Sequence, residues 1–243
     1  MKKLEILGIP FIFFDDELEF ENLILSFLSS KKLNLIFTPN AEIISIAHKD
    51  GKLKEILKYA DLNLPDGDGV LLLAKKDKRV SLKKFAGIDA MVKILEIAEK
   101  KKKKVYFLGA KDEVLRDMIN KLRKKFPGLD IAGWHHGYFS NNEIERIISD
   151  IDCDILFVAL GAPKQEFFIY NNKDKIKAKI AMGVGGSFDV LSERKKRAPN
   201  FFIRLHLEWL YRMLQEPKRF IKRAPNLFYF FYLFIRSRLC LRN

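Results

Sequence analysis

The chain of 243 residues contains 45 Lys and Arg against 31 Asp and Glu, which gives a net charge of +14 and an isoelectric point near 9.6. A hydrophobic content of 48% excludes a disordered or collagen-like chain. Two cysteines are too few for a disulfide framework. A balance this basic indicates a polyanionic partner, which is nucleic acid, an anionic membrane surface or a phosphorylated substrate.

The N-terminus opens like a signal peptide but does not continue as one. Met1, Lys2 and Lys3 supply a charged start, yet Glu5 and Pro10 interrupt the apolar run that follows, and no small-residue cleavage site comes after it. The longest apolar stretch elsewhere is 227–235, well short of the roughly 20 residues that span a bilayer. These features predict a cytoplasmic protein, with the C-terminal part a candidate for membrane contact.

Short apolar runs recur along the body of the chain, and each is followed by a Gly, Pro or Asn turn. A helix-like spacing of apolar residues comes next. Repeated strand, turn and helix is typical of βαβ units, and near-continuous apolar strands fit a sheet covered on both faces. We therefore predict an α/β fold with a Rossmann-like, mostly parallel sheet and helices on both faces. The predicted strands are 33–37, 62–64, 105–108, 155–160 and 180–184, and helices are predicted over 88–101 and 112–125.

Polar residues follow the ends of these strands. In a parallel sheet, ligands bind in the crevice beyond the carboxyl ends of the strands, so several polar turns at one edge indicate a site. The alternative is that they are ordinary caps and turns, and we predict Asn40 and Asp112 as helix N-caps. The residues concerned are Thr38, Asn40, Asp66, Asp68, Lys111, Lys164, Gln165, Ser187 and Asp189.

The segment Asp66-Gly67-Asp68 has three interpretations. As a D-x-D pair it would hold a divalent ion that bridges a nucleotide diphosphate. Alternatively, Asp66 alone is a base at a strand end, beside a glycine that lets a substrate approach. The third interpretation is a plain turn. The spacing alone leaves all three open.

Other familiar sites are absent from the sequence. There is no GxxxxGK[ST] phosphate loop. Gly183, Gly185 and Gly186 come near a dinucleotide fingerprint, but Phe188 stands in place of its third glycine, which disfavours hydride transfer. The adjacent residues His135 and His136 would point their rings apart, so we predict structural or capping roles for them.

The C-terminal fifth of the chain differs from the body. Residues 194–243 contain 13 Lys and Arg, two acidic residues and 11 of the 30 aromatic residues. We predict a domain boundary that leaves the α/β core at 1–193 and a basic, aromatic, helical appendage at 194–243, with Pro217 and Pro225 breaking the appendage into short helical pieces. Aromatics beside cations suit a helix in the headgroup region of a membrane. The alternative is that these aromatics pack onto the body.

Eight segments, in order, resemble the WecG/TagA/CpsF glycosyltransferases. They are TPNAE (38–42), LPDGDG (64–69), AGID (86–89), FLGAKDE (107–113), HHGYF (135–139), VALGAPKQE (158–166), GVGGSFDVLS (183–192) and RAPNFFIRLHLEWLYRMLQEPKRF (197–220). The resemblance implies a membrane-associated, inverting hexosyltransferase that moves N-acetylmannosamine, or a related sugar, from a UDP-sugar to polyprenyl-diphosphate-linked N-acetylglucosamine. It also implies a role in the synthesis of wall teichoic acid or another surface polysaccharide.

The resemblance also implies roles for single residues. Asp66 matches the base, and Thr38, Asn40 and Gln165 match positions that line the sugar site. The leaving diphosphate is met by Arg212 and Arg219 of the appendage, with Lys222 or Arg223 in support; a lysine at 222 is the weaker phosphate ligand. The remaining expected substrate contacts are Gly67, Gly109 and Lys164, together with Gly185, Gly186 and Asp189 at the turn that receives the uridine nucleotide.

Cofactors and partners follow from the same resemblance. We expect a metal-independent enzyme, with magnesium held by Asp66 and Asp68 as the alternative, because the family usually has an apolar or small residue where Asp68 stands. The expected partners are a UDP-sugar, a polyprenyl-diphosphate acceptor and, through the appendage, the inner face of the bacterial cell membrane. A nucleic-acid-binding protein and another nucleotide-using α/β enzyme, such as a nucleotidyltransferase, are the competing hypotheses. The sequence does not determine which sugar is transferred. It also leaves open the oligomeric state, including whether the protein forms a homo-oligomer.

Overall fold

The computed structural model describes residues 1–74, 87–195, 199, 201–202, 211 and 217–239, and in the last helix the side chains of residue 221 and residues 223–236. Its centre is a six-stranded sheet in the order β4-β3-β8-β7-β5-β6, in which every neighbouring pair is parallel. The predicted α/β architecture is confirmed. Its strands are β3 (Asn34–Phe37), β4 (Leu62–Asn63), β5 (Val105–Gly109), β6 (Ile131–His135), β7 (Ile155–Ala159) and β8 (Ile180–Gly183).

Helices connect these strands and cover both faces of the sheet. In strand β3, Leu35 and Phe37 pack into one core cluster and Ile36 into the other, as expected for strands whose side chains alternate between two buried faces. The described helices are α1 (Glu17–Leu28), α2 (Ala41–Lys49), α3 (Gly51–Tyr59), α4 (Asp68–Ala74), α5 (Gly87–Lys100), α6 (Asp112–Lys125), α7 (Ile144–Ser149), α8 (Lys164–Asn171), α9 (Ser187–Leu191) and α10 (Pro217–Leu239).

The first residues form an antiparallel hairpin that the sequence analysis did not predict. Strands β1 (Lys2–Ile6) and β2 (Ile9–Phe13) pair through a two-residue turn, in which Leu7 and Gly8 have φ of 52° and 79°. Glu5 and Pro10, which interrupt the apolar run in the sequence, lie opposite each other on the two strands. The hairpin packs into the core through Ile9 and Phe11, whose side chains are buried.

Two predicted helix caps have different outcomes. Asn40 caps α2 as predicted, since its Oδ1 accepts a hydrogen bond of 3.0 Å from the backbone N–H of Ile43. The prediction for Asp112 is wrong. Lys111 occupies the cap position of α6, and Asp112 is the first helical residue, where its carboxylate pairs with Arg116 at 2.6 Å. A carboxylate in the first turn still favours the helix through the helix dipole.

In the described part of the C-terminal segment, a helix begins at Pro217, where one break was predicted, but the predicted break at Pro225 is absent. Helix α10 runs through Pro225 without ending. Proline removes one backbone N–H, which would have bonded to the carbonyl of Ile221 four residues earlier. Residue Ile221 is 71% exposed, so the helix lies at the protein surface at this point.

Helix α10 packs against α2 on one side and presents aromatics on the other. Phe230 and Leu233 are buried in the body, whereas Phe228, Phe231 and Tyr232 are more than half exposed. Some aromatics of α10 therefore pack onto the body while others face outward, so the two arrangements occur together and are not alternatives. Within the described residues, no helix combines the length and the hydrophobicity needed to cross a membrane.

Candidate active site

The turns that follow β3 and β4 meet at the carboxyl edge of the sheet. The backbone N–H of Leu64 donates to the carbonyl of Phe37 at 2.9 Å, and that of Asp66 donates to the carbonyl of Pro39 at 3.3 Å. These bonds extend the pairing of the two strands beyond their ends. Asp66 is thereby placed beside the segment that carries Thr38 and Asn40, as the sequence analysis predicted.

The N-terminus of α5 completes this corner. The backbone N–H of Gly87, the first residue of α5, donates a hydrogen bond of 3.3 Å to Oδ1 of Asp66. Gly87 also lies against Thr38, since a Cβ at position 87 would be 3.1 Å from both Oγ1 and Cγ2 of the threonine. A side chain at 87 would therefore push the threonine or the helix away from the aspartate. Gly87 lies in the AGID segment (86–89), but the sequence alone indicates no role for it.

The side chains of Thr38 and Asn40 are held differently. Thr38 is buried, with 8% of its surface exposed, and Asn40 is half-buried. Asn40 uses Oδ1 for the cap of α2, so a ligand that it contacts would be met by its amide nitrogen as a donor. The predicted function of Asn40 and its role as a cap are therefore compatible.

Gln165 lies two strands further along the edge, in the first turn of α8. Its side chain is only 2% exposed. Oε1 accepts a hydrogen bond of 3.0 Å from the backbone N–H of Gly185, and Nε2 donates one of 2.9 Å to Glu166. Gln165 therefore ties α8 to the turn after β8. Its neighbour Lys164, the first residue of α8, is exposed.

The turn after β8 is the predicted nucleotide site. Gly185 has a φ of +53°, and a Cβ there would meet no other atom within 4 Å, so the turn is open at this point. Gly186 is exposed and is the cap residue of α9. Oδ2 of Asp189 would lie 3.9 Å from a Cβ at Gly186 and forms an ion pair of 3.5 Å with Lys195. The carboxylate expected at the uridine nucleotide site therefore has a lysine beside it.

Two further glycines predicted as substrate contacts have different surroundings. Gly67 has a φ of +80° with open space around its Cα, so a ligand could approach Asp66 from this side. Gly109 is packed tightly, because a Cβ there would lie 2.4 Å from the carbonyl oxygen of Ala159 on the neighbouring strand. The close approach of β5 and β7 is a sufficient reason for a glycine at position 109.

The C-terminal helix reaches this edge of the sheet through α2 and α4. Phe230 and Ala41 both lie against Gly69, and Nη1 of Arg223 lies 3.1 Å from Oε2 of Glu42 in the first turn of α2. Helix α10 is therefore in contact with the two helices whose first turns adjoin Asn40 and Asp66. Two polar contacts lie further along α2: the Tyr229 hydroxyl is 3.0 Å from Nδ1 of His48, and Nζ of Lys49 is 3.2 Å from Oδ1 of Asn226.

The basic residues predicted to meet a diphosphate are only partly described. Arg212 lies outside the described residues. Arg219 and Lys222 belong to α10, but their side chains lie outside the described part. Arg223 is described, and it is half-buried on Glu42. Its guanidinium is thus committed at least in part to seating the helix on the body.

A buried carboxyl group lies next to Gln165, and the sequence analysis gave it no role. Glu166 is fully buried, and burial raises its pKa to about 7, although hydrogen bonds from Gln165 and from its own backbone amide act in the opposite direction. Among the described residues, no group donates to its Oε2 atom. Glu166 is visible beside Gln165 in the segment 158–166, but the sequence does not show that its side chain is buried.

The two adjacent histidines have the structural contacts that were predicted. Nδ1 of His135 is 2.8 Å from the carbonyl oxygen of His136, and Nδ1 of His136 accepts from the backbone N–H of Tyr138 at 3.2 Å. Their ring centroids are only 4.6 Å apart, so the rings do not point away from each other as expected. In the described part of the chain, no group of three or more His, Cys, Asp or Glu side chains could hold a metal ion.

The arrangement joins a proton acceptor to hydrogen-bond donors at an open edge. Asp66 can take a proton from a hydroxyl, Thr38 and Asn40 can donate to oxygens of a ligand, and the Gly185 turn leaves room for a larger group. The strands β4, β3 and β8 that carry these groups are neighbours in the sheet. The site therefore suits a reaction between a hydroxyl and a second, bulkier substrate.

Comparison with known proteins identifies the family to which this chain belongs. Residues 4–243 match the family described as glycosyl transferase WecG/TagA/CpsF. A Bacillus spizizenii protein is 41% identical over 195 residues, which cover 80% of this chain and 76% of the relative. A Bacillus subtilis protein is 38% identical, with 76% and 73% covered, and one from Staphylococcus aureus strain MRSA252 is 34% identical, with 97% and 93% covered.

All three relatives carry the name N-acetylglucosaminyldiphosphoundecaprenol N-acetyl-beta-D-mannosaminyltransferase. The match to the family covers nearly the whole chain and includes the segments that form the edge described above. The agreement therefore does not depend on one motif. This chain belongs to the WecG/TagA/CpsF family of glycosyltransferases.

Proposed function

We propose that this glycosyltransferase moves N-acetylmannosamine from its UDP conjugate to N-acetylglucosamine carried on undecaprenyl diphosphate. The names of the relatives supply the sugar and the acceptor. The observation that carries the proposal for this chain is the corner in which Gly87 holds Asp66 beside Thr38. A product of this kind suits the synthesis of wall teichoic acid or a related surface polysaccharide.

The reaction is a single displacement at the anomeric carbon of the donor sugar. The acceptor hydroxyl attacks that carbon, and Asp66 takes the hydroxyl proton as the new carbon–oxygen bond forms. The bond between the sugar and the UDP oxygen breaks with its electron pair on the diphosphate. Because one displacement occurs, the anomeric configuration is inverted. Thr38 and Asn40 orient the donor sugar through hydrogen bonds to its hydroxyl or acetamide groups.

The leaving diphosphate needs positive charge, and the C-terminal segment supplies it. We assign this role to Arg219 and Lys222, since α10 packs on the helices that begin beside Asn40 and Asp66, and to Arg212 on the family resemblance alone. In this proposal, side chains replace a metal ion. A chelator should leave activity intact, whereas complete loss that magnesium restores would contradict metal independence and favour an ion held by Asp66 and Asp68.

The outer face of α10 is the proposed membrane contact. Phe228, Phe231, Tyr232 and Ile235 are exposed on it, and Arg236 lies beside them. Large exposed apolar side chains next to cations suit the boundary between headgroups and acyl chains, where the enzyme would meet a lipid-linked acceptor at the inner face of the cell membrane. Flotation with anionic vesicles should carry the protein upward; binding to DNA or RNA with no flotation would favour a nucleic-acid partner instead.

Product analysis tests the proposed reaction directly. The purified protein is incubated with UDP-N-acetylmannosamine and a short-chain lipid diphosphate that carries N-acetylglucosamine, and the lipid product is weighed by mass spectrometry. One added N-acetylhexosamine and release of UDP are expected. UDP-N-acetylglucosamine and UDP-glucose serve as matched donors, and equal transfer from all three would contradict the assigned sugar. A product that retains a nucleoside monophosphate would identify a nucleotidyltransferase.

A further inference from the structure

Two hydrogen bonds, which share the amide of Gln165, connect a buried carboxyl to the predicted nucleotide turn. Glu166 accepts from Nε2 of Gln165 at 2.9 Å, and Oε1 of Gln165 accepts from the backbone N–H of Gly185 at 3.0 Å. Gln165 and Glu166 are almost wholly buried, so water does not compete for these bonds. The series runs from the first turn of α8 to the turn after β8, across neighbouring strands of the sheet.

The structure assigns to Glu166 the role of a positioning residue that fixes the amide of Gln165 and so holds the Gly185 turn ready for the donor nucleotide. This inference rests on the proposed function, because it takes that turn as the place where UDP binds. Glu166 itself is not placed in contact with a substrate. Its effect on the reaction passes through Gln165.

The chemistry of the donors and acceptors determines how the amide must be oriented. A backbone N–H can only donate, so the atom of Gln165 that faces Gly185 must be the oxygen. The amide nitrogen then faces Glu166 and needs an acceptor there, which a carboxyl oxygen supplies in either protonation state. If position 166 offered no acceptor, the buried amide nitrogen would lose its partner, and the side chain would gain by turning away. The Gly185 turn would then lose the bond that holds it.

The state of the carboxyl group indicates that it is not present for stability alone. Oε2 is buried, and the described residues provide no partner for it. Burial without full hydrogen bonding costs free energy, and it raises the pKa of Glu166 to about 7. A residue that only filled space would be more stable as an apolar side chain of the same size. The retained carboxyl is therefore best explained by the bond that it makes to Gln165.

The test compares two replacements of similar size. Glu166→Gln keeps an oxygen that accepts from Gln165, whereas Glu166→Met keeps the length of the side chain but offers no acceptor. UDP binding is measured by calorimetry, and KM is measured for the sugar donor and for the lipid acceptor. We expect the methionine variant to weaken UDP binding and raise the donor KM about tenfold, with the acceptor KM unchanged. The glutamine variant should stay within about threefold of wild type and melt at the wild-type temperature.

A double-mutant cycle checks that the effect passes through Gln165. In a Gln165→Met background, changing Glu166 to Met should have little further effect on UDP binding, since the linking amide is already gone. Full additivity of the two changes would overturn the inference. If the methionine variant does not fold, Glu166→Asp replaces it; the shorter side chain draws its acceptor away from Gln165, so UDP binding should again weaken while the glutamine variant stays near wild type.

The remaining outcomes separate this inference from the proposed reaction. Unchanged UDP binding in Glu166→Met, or equal losses in donor KM, acceptor KM and melting temperature, would show that Glu166 is only structural, while the transferase assignment would stand. UDP binding that depends on Glu166 in a protein that transfers no sugar would overturn only the proposed reaction. A wild-type protein that does not bind UDP would overturn both.

Discussion

The ring of Phe230 lies against Gly69, with two ring carbons 3.1 and 3.5 Å from the point where a Cβ of that glycine would stand. Gly69 is three residues after Asp66, in the first turn of α4. The C-terminal helix is thus seated on the segment that carries the proposed base. Any lateral shift of α10 would alter the packing next to Asp66.

Phe230 and Phe231 are adjacent in sequence but should behave differently when replaced. Phe230 is 3% exposed and Phe231 is 57% exposed. Phe230→Ala should cost about 3 kcal/mol of packing free energy, release α10 from the body and lower the transfer rate, because burial of a phenylalanine ring contributes that much. Limited proteolysis of the C-terminal segment and transfer assays measure these effects.

Phe231→Ala is the matched control for that experiment. A change on the exposed face should alter the free energy of unfolding by no more than about 0.5 kcal/mol. It should weaken vesicle binding and leave turnover of a soluble, short-chain acceptor near wild type. Equal proteolysis of the two variants would contradict the packing of α10 described above.

Asp66 and Asp68 also form a matched pair for substitution. Asp66→Asn removes the proton acceptor and should lower kcat by a factor of about 100 to 10,000, which is the usual contribution of a positioned general base. UDP binding should persist. Asp68→Asn changes the same charge two residues away and should keep most of the activity, unless the pair holds a metal ion. Steady-state kinetics of both variants decide between these cases, and similar losses in both would favour a D-x-D metal site.

Gly87→Ala tests the corner between α5, Thr38 and Asp66. The added methyl group would lie 3.1 Å from two atoms of a buried threonine, so either the threonine or the helix must move. We expect kcat to fall by about tenfold, equivalent to about 1.4 kcal/mol in the barrier, while the gain in helix propensity limits any loss of stability.

Gly51→Ala on α3 is the control for that change, since a Cβ there meets no other atom within 4 Å. It should leave kcat at the wild-type value. A Gly87→Ala enzyme that turns over as fast as Gly51→Ala would show that the contact between residue 87 and Thr38 does not matter for the reaction.

The buried carboxyl of Glu166 should make stability depend on pH. Its pKa is about 7 in the folded protein against an ordinary value of 4.5, so the folded state holds the proton more tightly than the unfolded state. Its contribution is therefore present in full below pH 4.5 and is lost as the pH rises through 7, and it amounts to roughly 3 kcal/mol. Urea midpoints of the wild type and of Glu166→Gln, measured from pH 5 to pH 8, give the difference. Parallel curves for the two proteins would contradict the shifted pKa.

Much of the fold could be predicted because its signals are local. Each predicted strand was an apolar run that ended in a turn, and the structure contains all five within one residue at each end. The edge strand β6 was missed because its residues alternate between half-buried and exposed and its sequence has no apolar run. The N-terminal hairpin was missed because Glu5 and Pro10 looked like interruptions until they were seen to face each other.

The site could be predicted only as a set of separate positions. Local motifs identified Asp66, Thr38 and Gln165, but their partners lie far away in sequence: Gly87 is 21 residues from Asp66, and Gly185 is 20 residues from Gln165. The two contacts depend on the order of the strands in the sheet and on the burial of the Gln165 amide. A local sequence pattern shows neither the strand order nor the burial. The continuous helix through Pro225 was missed because a proline within a helical pattern usually ends or kinks the helix, whereas here the helix continues past it at a point where Ile221 is exposed.

The ion pair between Arg223 and Glu42 has a thermodynamic consequence, because the first turn of α2 that holds Glu42 also follows the Asn40 cap. Under the proposed membrane contact and donor site, a membrane that holds α10 in its seat and a nucleotide sugar that binds beside Asn40 would act on the same helix. Two such equilibria would be linked, and the factor by which vesicles increase the affinity for the UDP-sugar must equal the factor by which the UDP-sugar increases the affinity for vesicles. The enzyme would therefore bind its donor most tightly at the membrane surface, where its acceptor lies. Away from the membrane it would bind the donor less tightly.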